Sequence, residues 1–161
     1  MITAVQQDYL EIIFRLSSEK NENSVRITDI AKSLETRLPT VSRTVQKLKT
    51  KGYVNHKQHG EVSLTKTGQA MALEMVHLHK DLFQFFTNIL GLNKKTATSD
   101  ICQIEHCLSK KTAQRLHEFL EYYNSLSEKE KEVFIKFRTK RHRGQEQFKN
   151  LSCEKVPGWR A

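Results

Sequence analysis

Apolar residues recur every three or four positions through most of this chain, and only two Pro and six Gly interrupt them, so the pattern predicts a mainly α-helical protein. Three helical stretches open it, at about 4–19, 26–34 and 39–51, with a polar loop at 17–24 after the first. In the second, Ile27, Ile30, Ala31 and Leu34 form one apolar stripe; in the third, Val41, Val45 and Leu48 form another. Pro39 suits the first turn of that third helix, because its fixed φ is already helical. Residues 53–64 switch to short alternating runs around Gly60, the pattern of a small β-hairpin. Helix, turn, helix and hairpin in this order predict a winged helix-turn-helix.

A long helix is expected next, capped by Thr65 or Thr67 and ended near Leu90 by Gly91. Its predicted core stripe is Ala70, Leu73, Val76 and Leu82. Phe83, Phe85, Phe86 and Leu90 add more apolar surface than one face requires, which points to a partner subunit. Further helices at about 96–108 and 109–123 carry Ile101, Ile104, Leu108, Leu116, Phe119 and Leu120. Val133, Phe134 and Phe137 suggest another, reaching about Gly144. The expected division is 1–70 for the winged helix, 71–124 for an all-helical domain and 125–161 for a basic extension.

Charge adds a partner. Lys and Arg outnumber Asp and Glu by 27 to 18, a formal excess of +9 that favours a polyanion such as double-stranded DNA. The third helix has the right distribution for major-groove reading. Thr40 and Ser42 are small and polar beside Pro39, Arg43 has the geometry to read guanine O6 and N7, and Gln46 extends the exposed face. Lys47, Lys49, Lys51 and the wing's Lys57 are the candidate phosphate contacts, and Arg26 is a further candidate DNA-binding residue. No run approaches the ~18 apolar residues of a membrane span, and the first residues lack the pattern of a signal peptide. A cytoplasmic location is expected. Three irregularly spaced cysteines predict reduced thiols, and Cys107 and Cys153 have no assignable partner.

The candidate chemistry lies in Cys102, Glu105 and His106, spaced i, i+3 and i+4, which on one helix would project a thiol, a carboxylate and an imidazole from a single face. Asp8 and Glu11 repeat the i, i+3 spacing on the first helix, where ordinary compensation of the helix dipole would account for them equally well. His77 and His79 offer a further ligand but cannot share a face. Cysteine-hydrolase or metalloenzyme chemistry is disfavoured, since no nucleophile or oxyanion-hole motif accompanies the thiol. No catalysis, small-molecule substrate or membrane is expected. A metal-independent winged-helix protein is the main alternative.

Residues 4–123 resemble the diphtheria toxin repressor and manganese transport regulator family of bacterial metal-dependent repressors. The resemblance rests on Asp8-Tyr9-Leu10-Glu11-Ile12-Ile13, Ile27-Thr28-Asp29-Ile30-Ala31, and the run from Pro39 to Leu48. It continues through Gly60 to Gly68, His79-Lys80-Asp81-Leu82 and Ile104-Glu105-His106-Cys107-Leu108-Ser109. It implies a homodimer on a palindromic operator and a divalent transition metal held by Asp8, Glu11, His79, Cys102, Glu105 and His106, with His77 left as a surface or interface residue. Cys102 follows the iron branch, where the manganese branch carries a carboxylate, whereas Asp8 and Glu11 follow the manganese pattern. Fe(II) or Mn(II) is therefore expected, with Zn(II) and Co(II) also compatible with such donors. Phe83 and Thr98 stand where the iron branch's ancillary site would need ligands, and 125–161 leaves no room for that branch's SH3-like domain. Arg138 to Arg143 is a candidate for an additional phosphate-binding arm.

Overall fold

The computed structural model describes residues 2–56 and 60–139. Helix α1, Ala4–Lys20, starts with a reciprocal cap: Thr3 Oγ1 accepts from the Gln6 backbone N–H, and Gln6 Oε1 accepts from that of Thr3. It absorbs the first half of the expected loop and ends at Asn21, whose left-handed φ of 52° turns the chain away. Helices α2, Ile27–Ser33, and α3, Leu38–Thr50, follow the expected stripes. Ile30, Ala31, Val41, Val45 and Leu48 are buried against Tyr9, Leu10 and Ile13 of α1.

The wing contains one strand more than the periodicity predicts. Strands β2, Val54–His56, and β3, Glu61–Leu64, form the expected hairpin, and β1, Val25–Arg26, adds to its far side in the order β1-β3-β2, all antiparallel. Two residues are too few to show an alternation. Val25, Val54 and Val62 close the domain's core from this side.

Helix α4, Lys66–Gln84, is capped by Thr65, which accepts from Gly68 N–H at 3.0 Å. Gly68 itself lies against the Tyr53 carbonyl, so closely that any Cβ would collide with that backbone oxygen. Gly68→Ala must push α4 off the wing, at a cost of about 1–3 kcal/mol. A thermal melt of the variant at least several degrees below wild type is the expected result.

The face of α4 that meets the rest of the chain differs from the expected one. Leu82 of the expected stripe is buried, but the other buried apolar residues are Ala72 and Met75, whereas Ala70 and Leu73 of that stripe are exposed and Val76 is half-buried. Apolar residues occupy more than one face of this helix, so periodicity alone could not select the face taken by α1. The remaining apolar surface includes Leu73, Leu90 and Phe119.

Past Gln84 the helix widens into a π-helical turn, Phe85–Ile89, with Leu90 N–H donating to Phe85 O, and Gly91 then reverses the chain at φ 73°. Helix α5, Lys94–Ile104, is capped by Asn93, and helix α6, Lys110–Ser125, by Ser109. Leu82, Ala97 and Ile101 form a second small core; Ile89, Leu120 and Tyr123 form a third. Helix α7, Glu128–Thr139, closes over the π-helical turn, with the Phe134 ring edge-on to Tyr123 at 5.2 Å. The expected continuation to Gly144, and all of the basic run beyond Thr139, lie outside the described residues.

Candidate metal centre and nucleic-acid interface

Cys102, Glu105 and His106 do not share one α-helix. The α-helical hydrogen bonding ends at Ile104, and Glu105–Cys107 form a 3₁₀ turn, whose tighter winding sends successive side chains in directions an α-helix would not. Glu105 reaches α4, where its Oε2 accepts from His79 Nδ1 at 2.9 Å. His106 reaches α1, with Nε2 2.7 Å from Asp8 Oδ1 and Nδ1 2.8 Å from Gln7 Oε1. The two groups also face each other, His106 Nε2 lying 3.6 Å from Glu105 Oε1. Cys102 remains on the last turns of α5 as an exposed thiol.

Electrostatics binds the remaining members to this group. Glu105, 5% exposed, is the one charged side chain buried among the described residues. Glu11 is raised above the usual carboxylate range, first by burial and then by the charge of Glu105. Cys102, though exposed, is raised by partial loss of hydration and by the charges of Glu105, Glu11 and Asp8. His79 is raised chiefly by its hydrogen bond to Glu105, against the opposing effect of burial. Negative charge is crowded here, and a divalent cation would relieve it. Carboxylate, imidazole and thiol donors form a set that suits a first-row transition metal. Among the described residues no three such side chains already stand around a common vacant point. Both imidazoles are instead paired with carboxylates, His79 through Nδ1 and His106 through Nε2.

These shifts fix the sign of a pH dependence. A His79 value raised in the fold stabilises the metal-free protein fully below its unfolded value, and that stability is lost as pH rises through the folded value. Glu11 acts in the same direction, because the folded chain holds its proton at a pH where the unfolded chain has released it. Both donors must deprotonate to ligate, so metal-bound stability moves the opposite way. The rise in melting temperature caused by Mn(II) over chelator should therefore grow from about pH 6 to about pH 8. Differential scanning fluorimetry measures it; a rise that shrinks over this range contradicts the assignment.

Sequence reasoning missed Gln7, whose partner His106 is 99 positions away and whose amide carries no metal signature. It also missed the pairing of His117 Nδ1 with Asp81 Oδ2 at 2.8 Å, which joins α6 to α4 and raises His117 above its ordinary range. His77 is exposed and lines a cleft of about 440 Å³ between these helices, together with Asp81 and His117.

On the winged helix, burial of Val41, Val45 and Leu48 leaves Pro39, Thr40, Ser42, Arg43, Gln46 and Lys47 exposed on α3. Pro39 occupies the first turn, and Arg26 lies exposed on β1. Two expected phosphate contacts have structural partners. Lys49 Nζ donates to His56 O in the wing at 3.2 Å, and Lys51 Nζ donates to Gln6 Oε1 at 2.8 Å, tying the end of α3 to the start of α1. Lys57 lies outside the described residues. Across the described residues no helix is long and apolar enough to cross a membrane.

A winged helix-turn-helix whose first helix also packs on a helical domain rich in metal-binding side chains defines a two-domain DNA-binding regulator. Residues 1–62 match the iron dependent repressor N-terminal DNA-binding domain, and residues 65–131 match the iron dependent repressor metal-binding and dimerisation domain. The chain belongs to the diphtheria toxin repressor and manganese transport regulator family of metal-dependent transcriptional regulators. It is 34% identical over 117 residues to an uncharacterized HTH-type transcriptional regulator of Methanocaldococcus jannaschii, covering 73% of this chain and 93% of that one. It is 29% identical over 143 residues to the HTH-type transcriptional regulator MntR of Bacillus subtilis, covering 88% and 99%. The solved manganese regulator SloR superimposes with a TM-score of 0.63 at 30% identity, over 73% of this chain. The chain spans 54% of the length of that solved protein.

Proposed function

We propose that this protein is a homodimeric repressor of metal-uptake genes whose binding to a palindromic operator is gated by Fe(II) or Mn(II). The observation that carries the reading is the meeting of His106 Nε2, from the helical domain, with Asp8 on α1 of the winged helix. Asp8, Glu11, His79, Cys102, Glu105 and His106 are the proposed ligands. A bound divalent ion would supply the positive charge that lets these anionic donors approach one another.

The residues do the rest. Asp8 and Glu11 fix the orientation of α1, which carries Tyr9, Leu10 and Ile13 into the core that supports α3. His106 holds that helix to the helical domain through Asp8 and Gln7, Glu105 stands beside His106, and His79 orients Glu105. The two recognition helices of a dimer then keep one separation, which suits half-sites one helical turn apart. If the ion favours only this arrangement, metal and DNA must raise each other's affinity by the same factor.

Cys102→Ala combined with His106→Ala should abolish metal-stimulated operator binding and leave a folded dimer. Fluorescence anisotropy with a labelled operator and analytical ultracentrifugation separate the two effects. Undiminished stimulation in the double variant would sink the proposal. Titrating Mn(II), Fe(II), Co(II) and Zn(II) separately under anaerobic conditions identifies the preferred metal. The thiol of Cys102 favours the softer ions, whereas the three carboxylates keep Mn(II) competitive.

A further inference from the structure

We infer that Gln7 is a positioning residue for the metal centre: it accepts the Nδ1 hydrogen of His106 and so turns Nε2 toward the carboxylates. The inference rests on the ligand role proposed for His106, and it follows from the two faces of one ring. Nδ1 lies 2.8 Å from Gln7 Oε1, an amide oxygen that can only accept, so this nitrogen carries a hydrogen. Nε2 faces Asp8 Oδ1 at 2.7 Å and Glu105 Oε1 at 3.6 Å. Any cation at this imidazole, a proton or a divalent ion, is therefore held on the Nε2 side between two carboxylates.

A metal-binding histidine ordinarily donates its other ring N–H to a nearby acceptor, which fixes the tautomer and the ring plane. In this chain the acceptor comes from the other domain. His106 belongs to the turn after α5, whereas Gln7 belongs to α1, one residue before the ligand Asp8. With α1 docked the His106 side chain is 11% exposed, so little water competes with the Gln7 amide for Nδ1. Undocking α1 therefore removes more than Asp8 and Glu11. It also releases the ring that they share the ion with, so His106 is held in its ligating orientation only while the winged helix is docked, whereas Glu105 stays fixed by His79.

The test uses the full-length protein with Zn(II), a diamagnetic ion. In wild type, His106 Hδ1 should appear in a ¹H–¹⁵N spectrum as a slowly exchanging resonance with Nε2 metal-bound. Gln7→Leu, close in size but without an acceptor, should lose that resonance and bind Zn(II) about 10–100-fold more weakly. Gln7→Glu, which retains an acceptor at the same reach, should restore the resonance and most of the affinity. Circular dichroism melts confirm that each variant is folded, and if Gln7→Leu does not fold, Gln7→Met takes its place. Wild-type Zn(II) affinity in the variant lacking an acceptor overturns the positioning role alone. A wild-type protein that binds no divalent ion overturns the metal-gated reading and the positioning role with it. Gln7→Glu with tighter binding than wild type and no Hδ1 resonance would make position 7 a direct ligand, which also contradicts the inference.

Discussion

Glu105→Gln should weaken binding of Mn(II) and Fe(II) by at least about 100-fold, more than the ~10–100-fold typical of losing an outer partner of a metal ligand. The substitution conserves shape and removes charge. Glu105 is the buried member of the cluster, its Oε2 is held by His79, its Oε1 faces His106, and its charge contributes to the raised values of Glu11 and Cys102. No other carboxylate of the proposed set touches both imidazoles. The metal-free variant should still fold, because replacing the anion relieves repulsion with Glu11 and the amide oxygen still accepts from His79, although it gives up the stabilisation that the Glu105 charge lends protonated His79 at low pH. Isothermal titration for the metal and a thermal melt for the fold separate the two effects. Metal affinity within a few-fold of wild type would remove Glu105 from the ligand set.

Arg43→Ala should cost about 1–3 kcal/mol of operator binding, roughly 5–150-fold, and relax the preference at one base pair of each half-site. Arg43 is exposed on α3 opposite buried Val41 and Val45, one residue beyond Ser42 and in the first turns, where a recognition helix meets base edges. Lys47→Ala provides the contrast. Removing a phosphate-binding cation at that position should weaken all sequences alike and reduce the slope of log affinity against log salt by about 1. Competition against operators changed one base pair at a time distinguishes the two behaviours. An Arg43→Ala protein with unchanged base preference would place sequence reading elsewhere on α3.

Much of the fold was legible because its elements obey local rules. Val41, Val45 and Leu48 could be assigned to the core from spacing alone, and Pro39 marked the start of its helix correctly. Strand β1 was not legible, since Val25 and Arg26 have strand geometry only because β3 pairs with them. On α4, two apolar stripes competed, and only the docking of α1 decides that Ala72 and Met75 are inside while Leu73 is outside.

The candidate site divides along the same line. Asp8, Glu11, Glu105 and His106 carry donor chemistry at helical spacing, and the choice of His79 over His77 came from the family resemblance. The structure joins His79 to Glu105 and leaves His77 at the surface. The shared helical face of Cys102, Glu105 and His106 was the part that failed. Nothing local announces that the α-helix gives way to a 3₁₀ turn at Glu105, since neither Gly nor Pro stands there. Yet that turn directs Glu105 toward α4 and His106 toward α1. Gln7 was invisible for a different reason, because its importance lies wholly in a hydrogen bond with a residue far along the chain.

In the proposed mechanism one ion joins α1 to the helical domain and thereby sets the protein's affinity for DNA. The most direct measurement is operator affinity of the full-length protein at fixed ionic strength, with excess chelator and then with saturating Fe(II) or Mn(II) under anaerobic conditions. Operator binding should be tighter with metal and, reciprocally, metal affinity should rise by the same factor when operator is present. Operator affinity unchanged by chelator would contradict this mechanism and leave a winged-helix protein whose DNA binding needs no metal.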